Sequence, residues 1–184
     1  FFPGGNIGDL AVNGTVNDLA MVGAQPRYMT VGFIIEEGFP LDDLVSIVQT
    51  MARAASHAGL SIVAGDTKVV DRGKGDGVFI NTSGVGVVTG DVVLTSAGMM
   101  PGDRILLSGS IGRHGIAVMA QRNGIDFDPP VTSDTVALNG LAMRILDLAG
   151  DSVRLMRDPT RGGLATTLKE FARESGLCIE IRED

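Results

Sequence analysis

The chain contains no tryptophan, one tyrosine and seven phenylalanines in 184 residues. Nucleic acid is bound by basic grooves and aromatic platforms. A chain this poor in stacking side chains, with a formal net charge of -7, is not built for that. The negative charge equally disfavours anionic membrane surfaces. Cysteine occurs once, at Cys178. That excludes an internal disulfide and a cysteine-based metal cage, and it fits a reducing cytoplasm. The two histidines, His57 and His114, are too far apart in sequence for metal-ligand spacing. No apolar run reaches the ~18–20 residues of a transmembrane helix, and the start lacks a signal-peptide pattern. The first residue is Phe1 rather than methionine, so the chain is expected to be part of a longer protein.

What is present is an ordinary globular composition, 44% hydrophobic and 20% charged, which argues against disorder and coiled coil. Glycine is the excess, with 26 residues that follow no collagen-like period and therefore read as turns and close approaches. Residues 1–8 (FFPGGNIG) read as a loop. A short helix is predicted over 10–23, with Val12, Val16, Leu19 and Ala20 inward and Pro26 ending it. Tyr28–Glu36 reads as a buried strand. A helix opens at Pro40 and is capped by Gly59. Ser61–Ala64 reads as a strand ending on Gly65-Asp66-Thr67-Lys68, and Val78–Val88 as a long strand. The segment 95–103 looks like a boundary. Beyond it the sequence predicts a strand at 104–108, helices over 116–122, 133–149 and from Gly163 to about Ser175, and a strand at 177–181. Mixed strands and helices with hairpin and crossover links make the fold class α+β.

The common phosphate motifs are absent. There is no Walker sequence, and GVGVVTG at 84–90 misses the dinucleotide fingerprint and lies inside a strand. Three other stretches carry polar groups. In TVNDLAMVGAQP, Asn17 and Asp18 share a helix face that is either the wet side of an amphipathic helix or a ligand face. In AGDTKVV, Asp66, Thr67 and Lys68 follow an apolar strand, either as a capped turn or as a site. Carboxylate suits Mg²⁺ there, and ammonium suits phosphate. In RDPTRGGL, Arg157, Asp158 and Arg161 surround a turn before a helix. That is either an Arg–Asp paired loop or an anion site.

Taken together, FFPGGNIGDLAVNGTVNDLAMVGAQP, GFIIEEGFPLDDL, VAGDTKVV, INTSGVGVV and MRDPTRGGLATTLKEFA resemble the HypE family of hydrogenase maturation proteins. That family lies within the PurM-like superfamily of aminoimidazole ribonucleotide synthetase and thiamine-monophosphate kinase. The resemblance runs in order over nearly the whole chain. It implies an N-terminal α/β domain over 1–90 that binds ATP and pairs with its twin, and the first part of a second α+β domain over 91–184. The implied activity is the ATP-dependent dehydration of a carbamoylated C-terminal cysteine to a thiocyanate. HypF would supply the carbamoyl group, and the HypC–HypD complex would take the cyanide for the iron of [NiFe]-hydrogenase.

Carried onto this chain, the resemblance assigns Asp18 and Asp66 to magnesium–ATP and Asn17, Thr67 and Lys68 to the neighbourhood of the phosphates. Arg157, Asp158 and Arg161 join the pocket beneath the second domain. Residues 112–115 read Gly-Arg-His-Gly where the family more often has Gly-Asp-His-Gly, which inverts a charge. The acceptor cysteine and the family's N-terminal segment are expected to lie outside Phe1–Asp184, so this stretch alone is expected to be inactive. Cys178, in the alternating stretch LCIEI, is expected to sit in a sheet and not to carry the carbamoyl group. Two other readings stand beside this one. One is a different PurM-like ATP-dependent enzyme, of the selenophosphate synthetase or small-molecule kinase type. The other is a non-catalytic dimeric scaffold.

Overall fold

The computed structural model describes residues 1–90 and 93–182. The expected division at 90/91 meets Asp91 and Val92, and the expected end meets Asp184. All three lie outside the described residues.

The opening segment folds back through a Phe2–Gly5 pair and presents Asn6 as the cap of α1 (Ile7–Met21). The Asn6 carboxamide accepts the Gly8 N–H, and Asp9 accepts the Asn6 N–H. This capping box satisfies two donors that a helix start leaves free. The helix therefore begins earlier than predicted, inside the stretch read as loop. It ends at Met21 and not at Pro26, which is a buried residue of β1 (Ala24–Glu36). Proline has no N–H to give a ladder. Here it sits at the register shift between β1 and β3, ahead of the point where β2 begins to pair at Tyr28.

α2 (Leu41–Ala58) opens on Pro40 and ends at Gly59 as predicted, burying Ile47, Met51, Ala55 and Ala58. β2 (Ser61–Val70) and β3 (Val78–Val88) flank β1 in a three-stranded sheet, β2 parallel and β3 antiparallel to it. α1 and α2 cover one face. Val12 and Val16 of α1, Met29 and Val31 of β1, and Ile47 and Met51 of α2 form the core. α1 lies close on β3 because Gly84 has no side chain. A Cβ there would stand 2.7 Å from Thr15 Cγ2 and 2.8 Å from Leu19 Cδ1. The other face of the sheet is open, with Tyr28, Ile34, Phe79 and Val85 exposed.

Past a 3-10 turn at Ser96–Gly98 come α3 (Arg113–Asn123), α4 (Asn139–Ala149), a turn at Gly150–Ser152 and α5 (Gly163–Ser175). The strands predicted at 104–108 and 177–181 do not form. A strand needs a neighbour's N–H and C=O groups, and among the described residues none lies alongside; Leu106 is 85% exposed. Cys178 is accordingly exposed and outside any sheet.

The helix predicted from Ser133 begins only at Asn139. The residues before it run extended along α1 and are tied to the first half of the chain. The Ser133 N–H donates to Pro3 O (2.7 Å), Asn13 Nδ2 to Thr135 Oγ1 (3.2 Å) and Asn139 Nδ2 to Ala58 O (2.9 Å). α4 then packs on α1. No helix among the described residues is long and apolar enough to cross a membrane.

Candidate functional site

A cavity of about 410 Å³ opens between the C-terminal turn of α1 and the segment 155–160. That is within the ~300–1,000 Å³ of small-molecule sites. Met21, Val22, Leu94, Leu155 and Met156 make its apolar walls, and Asp18, Arg157, Asp158 and Thr160 its polar end. Asp18 reaches it because Met21 and Val22 lie three and four positions further along the helix, on the same side.

Burial pushes the Asp158 carboxyl above the usual carboxylate range. The nearby charge of Asp18 pushes the same way. Its own backbone N–H and the Arg157 guanidinium pull in the other direction. Two carboxylates from distant parts of the chain thus share one end of an apolar cavity. Arg157 also reaches Glu170 of α5 at 3.5 Å. That contact is an exposed pair and contributes little to stability.

The other residues singled out in the sequence lie elsewhere. Asp66, Thr67 and Lys68 are inside β2, which continues to Val70, and not at a strand end. β1 offers unbroken parallel pairing there, with Gly32 opposite Asp66, Phe33 opposite Thr67 and Ile34 opposite Lys68. Alternation then puts Asp66 and Lys68 on the open face and Thr67 on the helix side. Within one chain, Asp66 therefore does not meet Asp18, whose helix packs on the opposite face. Asn17 faces the extended segment instead of the cavity. Its Nδ2 donates to Val136 O at 3.0 Å, and its Oδ1 accepts the Leu138 N–H at 2.8 Å. Arg161 is exposed and does not line the cavity. Thr160 and the apolar walls were not singled out in the sequence. The helical spacing from Asp18 to Met21 and Val22 was the available signal for one wall.

His114, at the altered Gly-Arg-His-Gly turn, is set in a junction between the two halves. Its Nδ1 lies 2.9 Å from Ser133 Oγ, and its ring meets Phe2 edge-on at 5.0 Å. Its backbone N–H donates to Asp134. Arg113 reaches Thr132 at 3.4 Å.

Among the described residues, no group of three or more His, Cys, Asp or Glu side chains forms a self-contained metal cage. The Asp18–Asp158 pair is all oxygen. Such a donor set suits a hard divalent cation that keeps waters and takes further oxygens from its ligand, and it does not suit zinc.

Residues 1–88 match the family "AIR synthase related protein, N-terminal domain", and residues 100–184 match "AIR synthase related protein, C-terminal domain". The carbamoyl dehydratase HypE of Cupriavidus necator is 55% identical over 183 residues, covering 100% of this chain and 52% of that protein. The solved HypE–HypF complex superposes with a TM-score of 0.92 at 53% identity, over 96% of this chain and 57% of that one. HypE solved in complex with ATP gives 0.92 at 51% identity, over 95% and 52%. The chain spans about half the length of the curated relatives it matches. With both domains of one family matched in order along it, and HypE proteins aligned from end to end, the chain belongs to the AIR synthase related family, in its HypE branch.

Proposed function

We propose that this chain carries the nucleotide site of an enzyme that uses ATP to dehydrate a carbamoylated cysteine to a thiocyanate. One observation carries the reading. Asp158 is held partly buried against Asp18 at the polar end of the cavity, in a chain half identical to a HypE that binds ATP. An amide oxygen is a poor leaving group. Transfer of the γ-phosphoryl to the thiocarbamate oxygen, with loss of one N–H proton, releases ADP. Loss of the second N–H proton then expels phosphate and leaves the C≡N triple bond. Mg²⁺ would neutralise charge on the triphosphate. Asp18 and Asp158 would hold it, and Arg157 beside them favours an anionic ligand.

The remaining assignments follow from the same reading. Residues 1–90 act as the nucleotide-binding and dimerising domain, and 91–184 begin the domain that closes on it. A second copy laid on the open sheet face would cover Tyr28, Ile34, Phe79 and Val85. It would also turn Asp66 and Lys68 from surface residues into parts of a shared site, with Asp66 as a magnesium ligand; Thr67 stands between them with its side chain on the helix face. Arg161, exposed three positions after Asp158, would serve the phosphates as a further cation. HypF is the carbamoyl donor and HypC–HypD the cyanide acceptor, in the cytoplasm.

The test uses the full-length protein carbamoylated on its acceptor cysteine. Mass spectrometry should find loss of one water from that peptide with Mg²⁺ and ATP and none without them. Water loss that does not depend on ATP would overturn the reading. ATP-dependent phosphorylation of a free small molecule, with the peptide unchanged, would favour a kinase instead.

A further inference from the structure

We propose that Asn17 is a positioning residue. It sets the spacing between Asp18 and Asp158 by gripping the segment that leads into α4, and it does not contact the ligand. The proposal rests on reading that cavity as the magnesium–ATP site, and its first measurement is independent of that reading.

The grip is two-pronged. Asn17 Nδ2 donates to Val136 O and Oδ1 accepts the Leu138 N–H, at 3.0 and 2.8 Å. Two bonds from one planar amide fix both the height and the rotation of the backbone they hold. The neighbouring Asn13–Thr135 contact is a single bond between side chains and leaves that rotation free. Leu138 is also the cap residue of α4 and has no capping side chain. Its own N–H precedes the first helical residue, where no intrahelical carbonyl reaches it, and it finds its acceptor in Asn17.

From α4 the chain runs through the Gly150–Ser152 turn directly into Leu155–Asp158, one wall of the cavity. That wall is braced in turn. Arg154 Nη1 donates to Asp151 O, and the Arg154 carbonyl accepts the Thr95 N–H. The opposing wall begins at Asp18, the residue next to Asn17. Adjacent helical residues project about 100° apart, so one turn of α1 presents Asn17 to the extended segment and Asp18 to the cavity. Releasing Asn17 lets α1 and α4 slide against each other, and the two carboxylates lose their fixed separation. A displacement of this kind, of order 1 Å, is enough to spoil binding of a metal nucleotide.

The experiment uses full-length protein with spin labels on Val22→Cys and Thr160→Cys, the other cysteines having been replaced. A single narrow label-to-label distance is expected in this background and in Asn13→Ala. A broadened or shifted distribution is expected in Asn17→Ala. Asn17→Asp keeps the acceptor for Leu138 but cannot donate to Val136. It should fold and still broaden the distribution, which covers the case where the alanine variant does not fold. In unlabelled protein the KM for Mg–ATP should rise about tenfold in the Asn17 variants, with kcat within about twofold, while Asn13→Ala leaves both unchanged at a comparable loss of Tm. An unchanged distance distribution in the Asn17 variants would overturn the proposal. So would an equal disturbance by Asn13→Ala. Absence of ATP turnover in the parent protein would defeat the nucleotide reading, and the distances would still decide the role of Asn17.

Discussion

Gly8 of α1 lies directly against the backbone carbonyl of Ile47 in α2, with no room between them for a methyl group. The two helices of the first layer cross at this point, and the carbonyl belongs to a rigid helix that cannot swing away. Gly8→Ala should therefore destabilise the protein by about 1–3 kcal/mol through overpacking, even though alanine is the better helix former. Chemical denaturation of the full-length variant measures this. A gain in stability would mean the helices can separate.

Thr15 and Thr82 share a hydroxyl–hydroxyl bond of 2.6 Å, and Thr82 Oγ1 also reaches Ala11 O at 3.2 Å. Thr82→Val keeps the shape and removes the hydroxyl. The half-buried Thr15 hydroxyl then loses its partner, at a cost of about 1–3 kcal/mol. Thr15→Val combined with Thr82→Val should recover part of that loss, because neither hydroxyl is then left alone. A double-mutant cycle on denaturation free energies reads the difference.

Glu36 closes the loop between β2 and β3 by accepting the N–H groups of Gly73 and Gly77. These bonds hold its carboxyl below the ordinary glutamate value of 4.5. A lowered carboxylate stabilises the fold above its unfolded value, and the contribution disappears as pH falls through the folded one. Glu36→Gln should therefore lower Tm at neutral pH, with the gap to the parent closing in acid, as pH falls below the ordinary glutamate value and through the lowered one. A gap that does not change with pH would remove the carboxylate from the account.

Asp18 is exposed and stands outside the core, so Asp18→Asn should leave Tm nearly unchanged. Loss of one charge from the proposed cation site should cut ATP turnover of the full-length protein on the order of 100-fold. Raising magnesium should recover part of the loss. Full turnover at unchanged stability would sink the assignment of this side chain.

Lys68 stands on the open sheet face beside Asp66 and is exposed in the single chain. If a second copy covers that face, Lys68→Ala should weaken ATP binding and flatten its dependence on salt, because a phosphate-facing cation is gone. Calorimetry at two ionic strengths checks both effects. Identical affinities would keep Lys68 outside the nucleotide site.

Most of the first layer was legible in the sequence. The 3.6-residue spacing of Ile47, Met51, Ala55 and Ala58, bounded by Pro40 and Gly59, gave α2 correctly. Two of the errors there have local causes. The capping box of Asn6 and Asp9 started α1 early, and pairing with β1 carried β2 past Gly65 to Val70. The second error mattered for the site, since a strand end gathers Asp66, Thr67 and Lys68 and a strand interior splits them between faces. Asp18 and Asp158 were both singled out, yet nothing in either motif says that they meet. Their meeting depends on the path from 133 to 158, where the pattern suggested a longer helix than forms.

The segment before α4 also bears on the order of folding. Asn13 and Asn17 find their partners at Thr135, Val136 and Leu138, 119–122 positions later in the chain. During synthesis, the three strands and α2 emerge well before the partners that complete the polar side of α1. The nascent first layer must then wait, at about 5–20 residues per second, until that segment clears the ribosome. A polypeptide cut at residue 90 would reproduce this waiting state permanently. Its α1 would have the contacts to α2 and β3 but neither asparagine partner, so such a fragment should exchange the α1 amides much faster than the longer chain does.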